Sequence, residues 1–229
     1  DTLTSMNNLA GVLDRQGKYE EAEAMNRQTL ALKETVLGRE HPDTLTSMNN
    51  LALVLDSQGK YKEAEAMNRQ TLALSEMVLG REHPYTLTSM SNLALVLDSQ
   101  GKYEEAEAMN RQTLALSETV LGREHPDTLT SMYCLAKLLA HLRCYSESLA
   151  LYETACAGYH IVCGDNHPTT RACRQHYATA RVDAIRNRRT PALAPATLDS
   201  YAVVHARKVS KLSSWLAKLG VRSSKISSR

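Results

Sequence analysis

Residues 43–84, DTLTSMNNLALVLDSQGKYKEAEAMNRQTLALSEMVLGREHP, recur along the chain. Residues 1–42 differ from them at five positions and residues 85–126 at four. Residues 127–168 keep the frame and drift in content, and residue 169 opens a fifth copy that does not finish. A fixed period of 42 residues constrains the fold more than any other feature, because it marks a stacked array in which each unit contacts its neighbours. In such an array length scales with repeat number, so 229 residues do not imply a domain count.

Two helical patterns fill one unit. In residues 44–58, Leu45, Met48, Leu51, Ala52 and Leu55 recur three and four apart and form one apolar stripe. Asp43 is placed to cap that helix at its N-terminus. Pro84 and its copies end the preceding segment, and Gly59 is placed to end the first helix in a left-handed conformation. In residues 61–78, Tyr61, Ala64, Met67, Thr71, Leu72 and Leu74 supply the buried side, with Gly80 as the cap. A two-residue turn makes the two helices antiparallel, and small Ala52 and Ala64 let them approach closely. One such pair cannot bury all its apolar sides, whereas stacked copies bury them in a continuous core. The corresponding helices are predicted at residues 2–16, 19–36, 86–100, 103–120, 128–142 and 146–162.

The frame NLA…L…QGKY..A…….L resembles the tetratricopeptide repeat (TPR) pattern. The NNLA run, the 42-residue period and the VLGREHP ending resemble the kinesin light chain type. Asn49, Asn50, Leu51, Ala52, Gly59, Tyr61, Ala64, Leu72, Leu79, Gly80, His83 and Pro84 sit where that type has them. Similar near-identical arrays occur at the C-terminal end of fungal NB-ARC signalling proteins. The resemblance covers residues 1–168, with weaker support to 186. It implies an all-α, right-handed superhelical solenoid of antiparallel helix pairs. Two departures loosen the expected core: Asn26, Asn68 and Asn110 stand where the family has an aromatic, and Thr29, Thr71 and Thr113 where it has Ala.

The resemblance also implies that the first helices line a concave face. Carried onto this chain, it puts Asn7, Asn49, Ser91 and Tyr133 on the groove. One to two turns on come Gly11, Leu53, Leu95 and Lys137, then Asp14, Asp56 and Asp98. The expected groove is amide-lined, apolar in the middle and acidic along one edge; the plainer alternative is that Asn and Asp solvate a surface. The neighbouring Asn8, Asn50 and Asn92 are expected to make structural bonds between helices.

The expected organisation is repeats at 1–42, 43–84, 85–126 and 127–168, a partial repeat at 169–186, a linker at 187–197 containing Pro191 and Pro195, and a basic amphipathic helix with a disordered end at 198–229. The fourth repeat reads as an atypical end unit: Arg143 replaces the turn glycine, Ser148 the alanine, and Tyr133 and Cys134 the Asn pair. Charge divides along the same boundary. Residues 1–168 carry 14 Lys and Arg against 23 Asp and Glu, and residues 169–229 carry 13 against 2. The tail has four readings: a cap docked in cis on the acidic array, a binder of an anionic membrane surface or acidic partner, a nucleic-acid binder, or a solvated appendage. Few aromatics interleave its basic residues, which argues against nucleic acid. The chain shows no signal peptide and no apolar run long enough to span a bilayer, and it does not begin with Met. It reads as a piece of a longer cytoplasmic protein.

His41, His83, His125 and His167 recur once per repeat. Equivalent positions in layers packed roughly 8–10 Å apart cannot share a zinc ion, whose ligands sit at about 2 Å, so these histidines are expected to cap the inter-repeat loops. His160, Cys163, His167, Cys173 and His176 match no standard zinc spacing. Cys156 and Cys163 fall where earlier repeats have Leu30 and Leu37 and read as reduced core residues. Glu20, Glu21, Glu23 and their copies begin the second helices, where the dipole favours acids. There is no phosphate-binding glycine loop and no GxSxG. No catalytic residue, metal or cofactor is expected. The expected function is a non-enzymatic scaffold that binds a peptide or protein segment in its groove, within a larger signalling or assembly protein. The alternative is a structural spacer or oligomerisation array whose basic tail binds an acidic partner or membrane surface.

Overall fold

The computed structural model describes residues 2–189, which form nine helices and no strand. The first helices of the repeats are α1 (Thr2–Arg15), α3 (Pro42–Ser57), α5 (Pro84–Ser99), α7 (Pro126–His141) and α9 (Pro168–Arg189). The second helices are α2 (Tyr19–Leu37), α4 (Tyr61–Leu79), α6 (Tyr103–Val120) and α8 (Tyr145–Cys163). The basic segment at 198–219, its linker and the end of the chain lie outside the described residues.

Each second helix is wedged between its own first helix and that of the next repeat. The backbones of neighbouring first helices also approach one another, while neighbouring second helices meet only through long side chains, as Arg27 with Glu63. The layer in mutual contact lies on the inside of the bend, so α1, α3, α5 and α7 line the concave side. The expected stripe is the core: Leu45, Met48, Leu51, Ala52 and Leu55 are each 1% exposed or less.

The second helices bury a different set from the one expected. Tyr61 is exposed, and Met67, Leu72 and Leu74 are only half-buried. Ala64, Asn68, Thr71 and Ser75 are the buried residues of α4. These polar side chains do not leave a loose core. Thr71 Oγ1 donates to the Met67 carbonyl at 2.8 Å, Ser75 Oγ to the Thr71 carbonyl at 2.8 Å, and Asn68 Nδ2 to the Asn92 carbonyl of the next repeat at 3.3 Å. A helix between two others buries small groups that bond within its own turns, and its long apolar residues lean into the flanking seams.

Helix starts also differ from the expectation. Asp43 is the second residue of α3, because Pro42 occupies the first position. The cap is His41, whose Nδ1 accepts from the Asp43 N–H at 3.1 Å. His83, His125 and His167 accept from Tyr85, Asp127 and Thr169 in the same way. The turn glycines have the expected left-handed conformation, with φ of +76° at Gly59. In the fourth repeat Arg143 adopts it with φ of 60°, the one non-glycine residue to do so among the described residues.

The last described helix, α9, changes one face. Thr170, Cys173, Ala180 and Ala184 remain buried against the preceding repeat. The positions that in α7 are Leu129, Met132, Ala136 and Leu139, all buried, become Arg171, Arg174, Ala178 and Arg181, all exposed. A polar outer face is what a terminal unit requires.

Candidate functional site: the concave face of the first helices

Neighbouring first helices leave open clefts between them on the concave side. The cleft between α1 and α3 is lined by Asn7, Gly11, Asp14 and Leu53 from the expected groove, with Asn26 and Asn50 beneath. The cleft between α5 and α7 brings together Ser91, Leu95, Asp98 and Lys137, with Asn92, Asn110 and Cys134. Leu95 is 40% exposed and Leu53 half-buried, so the apolar middle is open to solvent along two rungs.

Asn49 sits in a seam between first helices, while Asn7 both lines its cleft and bonds across a seam. Asn7 Nδ2 donates to Ser47 Oγ at 3.1 Å, and Asn49 Nδ2 donates to the Tyr85 hydroxyl at 2.9 Å and to Ser89 Oγ at 3.2 Å. Both tie one first helix to the next, and Asn49 is buried. Asn50 and Asn92 instead offer backbone carbonyls to Asn26 and Asn68. Consecutive residues differ by about 100° around a helix, so Asn49 and Asn50 face different neighbours.

Among the described residues, five buried side-chain oxygens have no hydrogen-bond donor: Oδ1 of Asp14, Asn26, Asn49, Asp56 and Asn68. All are acceptors, and Asp14 and Asn26 line the first cleft. Burial pushes the Asp56 carboxyl above its ordinary range; a hydrogen bond with Ser99 opposes this and the Asp98 charge adds to it. Asp98 Oδ1 lies 3.2 Å from His141 Nδ1. The polarity reverses at the fourth rung. Lys137 Nζ stands 5.9 Å over the Tyr133 ring, and the Tyr133 hydroxyl lies 2.6 Å from His176 Nδ1. The Asn26 and Asn110 floor was missed as a site; its signal was the recurrence of Asn where the repeat pattern expects an aromatic.

The second helices carry a separate charge ladder. Glu23 accepts from Arg27 and, across the repeat boundary, from Gln58 and Lys60, and Glu65 repeats this with Arg69, Gln100 and Lys102. These glutamates clamp repeats together rather than merely complement a helix dipole. No group of three or more metal-ligating side chains occurs among the described residues, and no described helix is long and apolar enough to cross a membrane.

Repeated helix pairs with a lined concave face define an all-helical solenoid. The comparisons with known proteins give its family. A tetratricopeptide repeat profile matches residues 1–77 and 57–119, and a second tetratricopeptide repeat profile matches residues 128–169. The chain belongs to the tetratricopeptide repeat family, whose members are protein-interaction scaffolds.

No curated protein matches the sequence. Among solved structures, the chain is similar to a Podosopora anserina protein described as a kinesin light chain with nearly identical TPR-like repeats. The two share 26% identity at a TM-score of 0.65, over 92% of this chain and 97% of that one. BtubC (BKLC) from P. vanneervenii shares the fold at 19% identity and a TM-score of 0.63, over 98% of this chain and 84% of that one. Rap protein complexed with competence and sporulation factor shares it at 13% identity and 0.60, over 95% and 66%.

Proposed function

We propose that this chain is a docking array that holds an extended protein segment along the concave face of α1, α3, α5 and α7. The observation that carries this reading is the open, polar cleft lining that Asp14 shares with Asn7 and Leu53, and Asp98 with Ser91 and Leu95. Carboxylate and amide oxygens that line an open cleft accept hydrogen bonds from a ligand that brings donors. Backbone N–H groups of an extended segment supply such donors at regular spacing, and Lys or Arg side chains add charge to match the aspartates. The ligand is therefore polar to basic over the first three repeats. Lys137 and His176 at the fourth rung favour its acidic or carboxylate end there, which gives the bound segment a direction. The fold-sharing Rap protein is complexed with competence and sporulation factor, which is consistent with ligand display on this architecture.

A display selection of random peptides on the immobilised full chain tests the reading. Enrichment of Lys- or Arg-containing peptides supports it, and enrichment of acidic peptides alone refutes it.

One observation favours a second reading, self-association. Val36, Val78, Val120 and Val162 occupy the same position in four repeats and are all exposed, as are Met77 and Ile161 beside them. Light scattering that reports a multimer dispersed by Val78→Lys would support assembly through that ridge.

A further inference from the structure

At the last seam of the array, Cys156 Sγ of α8 lies 2.9 Å from Cys173 Sγ of α9. Both side chains are buried, and none of the five cysteines, all among the described residues, forms a disulfide. The pair is specific to this seam. Cys156 occupies the position of Leu30, Leu72 and Leu114, and Cys173 that of Ser5, Ser47, Ser89 and Ser131. Only the junction with the terminal helix thus carries two thiols face to face. Among the described residues, this helix packs against α8 and α7 alone, and its arginine face is exposed.

We propose that Cys156 and Cys173 are a redox site that staples the terminal helix α9 onto the array when a low-molecular-weight disulfide is present. The closing distance is short: a disulfide places its sulfurs about 2.0 Å apart, and small side-chain rotations supply the difference. The hydrogen bond from Cys173 lowers the Cys156 thiol and raises its partner, so Cys156 is the nucleophile and Cys173 the resolving group. Local opening of α9 admits the reagent. The Cys156 thiolate attacks one sulfur of RSSR, forms a mixed disulfide and releases RS−. Cys173 passes its proton to the released thiolate or to water, attacks Cys156 Sγ and expels the second RS−. Two protein thiols and RSSR become one protein disulfide and two RSH, a two-electron exchange.

The staple holds α9, and with it the His176 contact to Tyr133, while leaving the first three repeats unchanged. It closes a short loop, so it chiefly suppresses opening of the last seam rather than stabilising the whole array.

Treatment of the full chain with oxidised glutathione, followed by acid quench, alkylation and peptide mass spectrometry, tests this. The expected result is one cross-linked peptide joining Cys156 to Cys173, with Cys134, Cys144 and Cys163 alkylated. Amide exchange across 168–189 should slow by roughly tenfold or more on oxidation and recover with reductant. Cys156→Leu and Cys173→Ser restore the residues that the earlier repeats carry, so both should fold, and neither should respond to glutathione. A persistent glutathione adduct on either residue, a different pairing, both thiols left alkylatable, or unchanged exchange after cross-linking would overturn the proposal.

Discussion

The carboxylate of Glu23 accepts from Lys60 Nζ at 2.8 Å across the boundary between the first and second repeats. Glu65 and Lys102 repeat the contact at 2.7 Å one repeat on. In the fourth repeat Cys144 and Leu142 stand where Lys60 and Gln58 would be, so the boundary after the third repeat is instead carried by Arg111, which reaches Glu147 through two bonds of 2.7 and 2.8 Å.

Lys60 holds the Glu23 carboxyl at about 2, against an ordinary value of 4.5. A carboxyl depressed in the folded state contributes stability that is present above the unfolded value and is lost as pH falls through the folded one. The contribution should therefore fade between pH 4.5 and about 2. Glu23→Gln should cost about 1–3 kcal/mol at pH 7 and almost nothing near pH 2. Urea denaturation at several pH values checks this, and an equal cost at both ends would show that the clamp does not depend on charge.

Asp56 should behave with the opposite sign. Burial raises its carboxyl in the folded state, so its ionisation opposes folding as pH rises through the folded value. Asp56→Asn should raise the unfolding midpoint at pH 7, with the gain shrinking in acid. A loss of stability at pH 7 would place Asp56 in a favourable charge contact.

Ala52, Ala94 and Ala136 are fully buried in the first helices of their repeats. Ala94→Leu should cost about 1–3 kcal/mol by overpacking. A melt within a degree of the parent would mean that the helix contact is looser than the burial implies.

Arg143 has a φ of 60° at a turn where the earlier repeats use glycine. A side chain there costs roughly 1 kcal/mol, so Arg143→Gly should stabilise the fourth repeat by about that amount. Local hydrogen exchange at 138–148 gives the readout; faster exchange in the variant would contradict it.

Much of this architecture was legible from the repeat. Identical stretches at one period fix helix spans, and the stripe from Leu45 to Leu55 is buried as read. The finer misses share one cause: periodicity sets spacing but not rotation. A shift of one residue around α3 decides whether Asn49 or Asn50 faces the neighbouring helix. The cap moved from Asp43 to His41 because Pro42 pre-sets helical φ ahead of it. The clamp by Glu23 depends on residues 35 and 37 further along the chain, and the Cys156 contact on a residue 17 further along. A single-repeat pattern does not encode such distances. The groove was readable only as rungs, because Asn26 and Asn110 reach it from the second helices.

The central claim is that the acidic rungs of the concave face receive a donor-bearing segment. The most direct measurement is a fluorescence titration of one selected basic peptide against the full chain and against a variant with Asp14, Asp56 and Asp98 all changed to Asn, at two salt concentrations. The account predicts that the variant binds at least roughly tenfold more weakly at low salt and that its affinity hardly changes with salt, since the screened charges are gone. Equal affinity and equal salt dependence in the two proteins would contradict the claim and remove these rungs from the site.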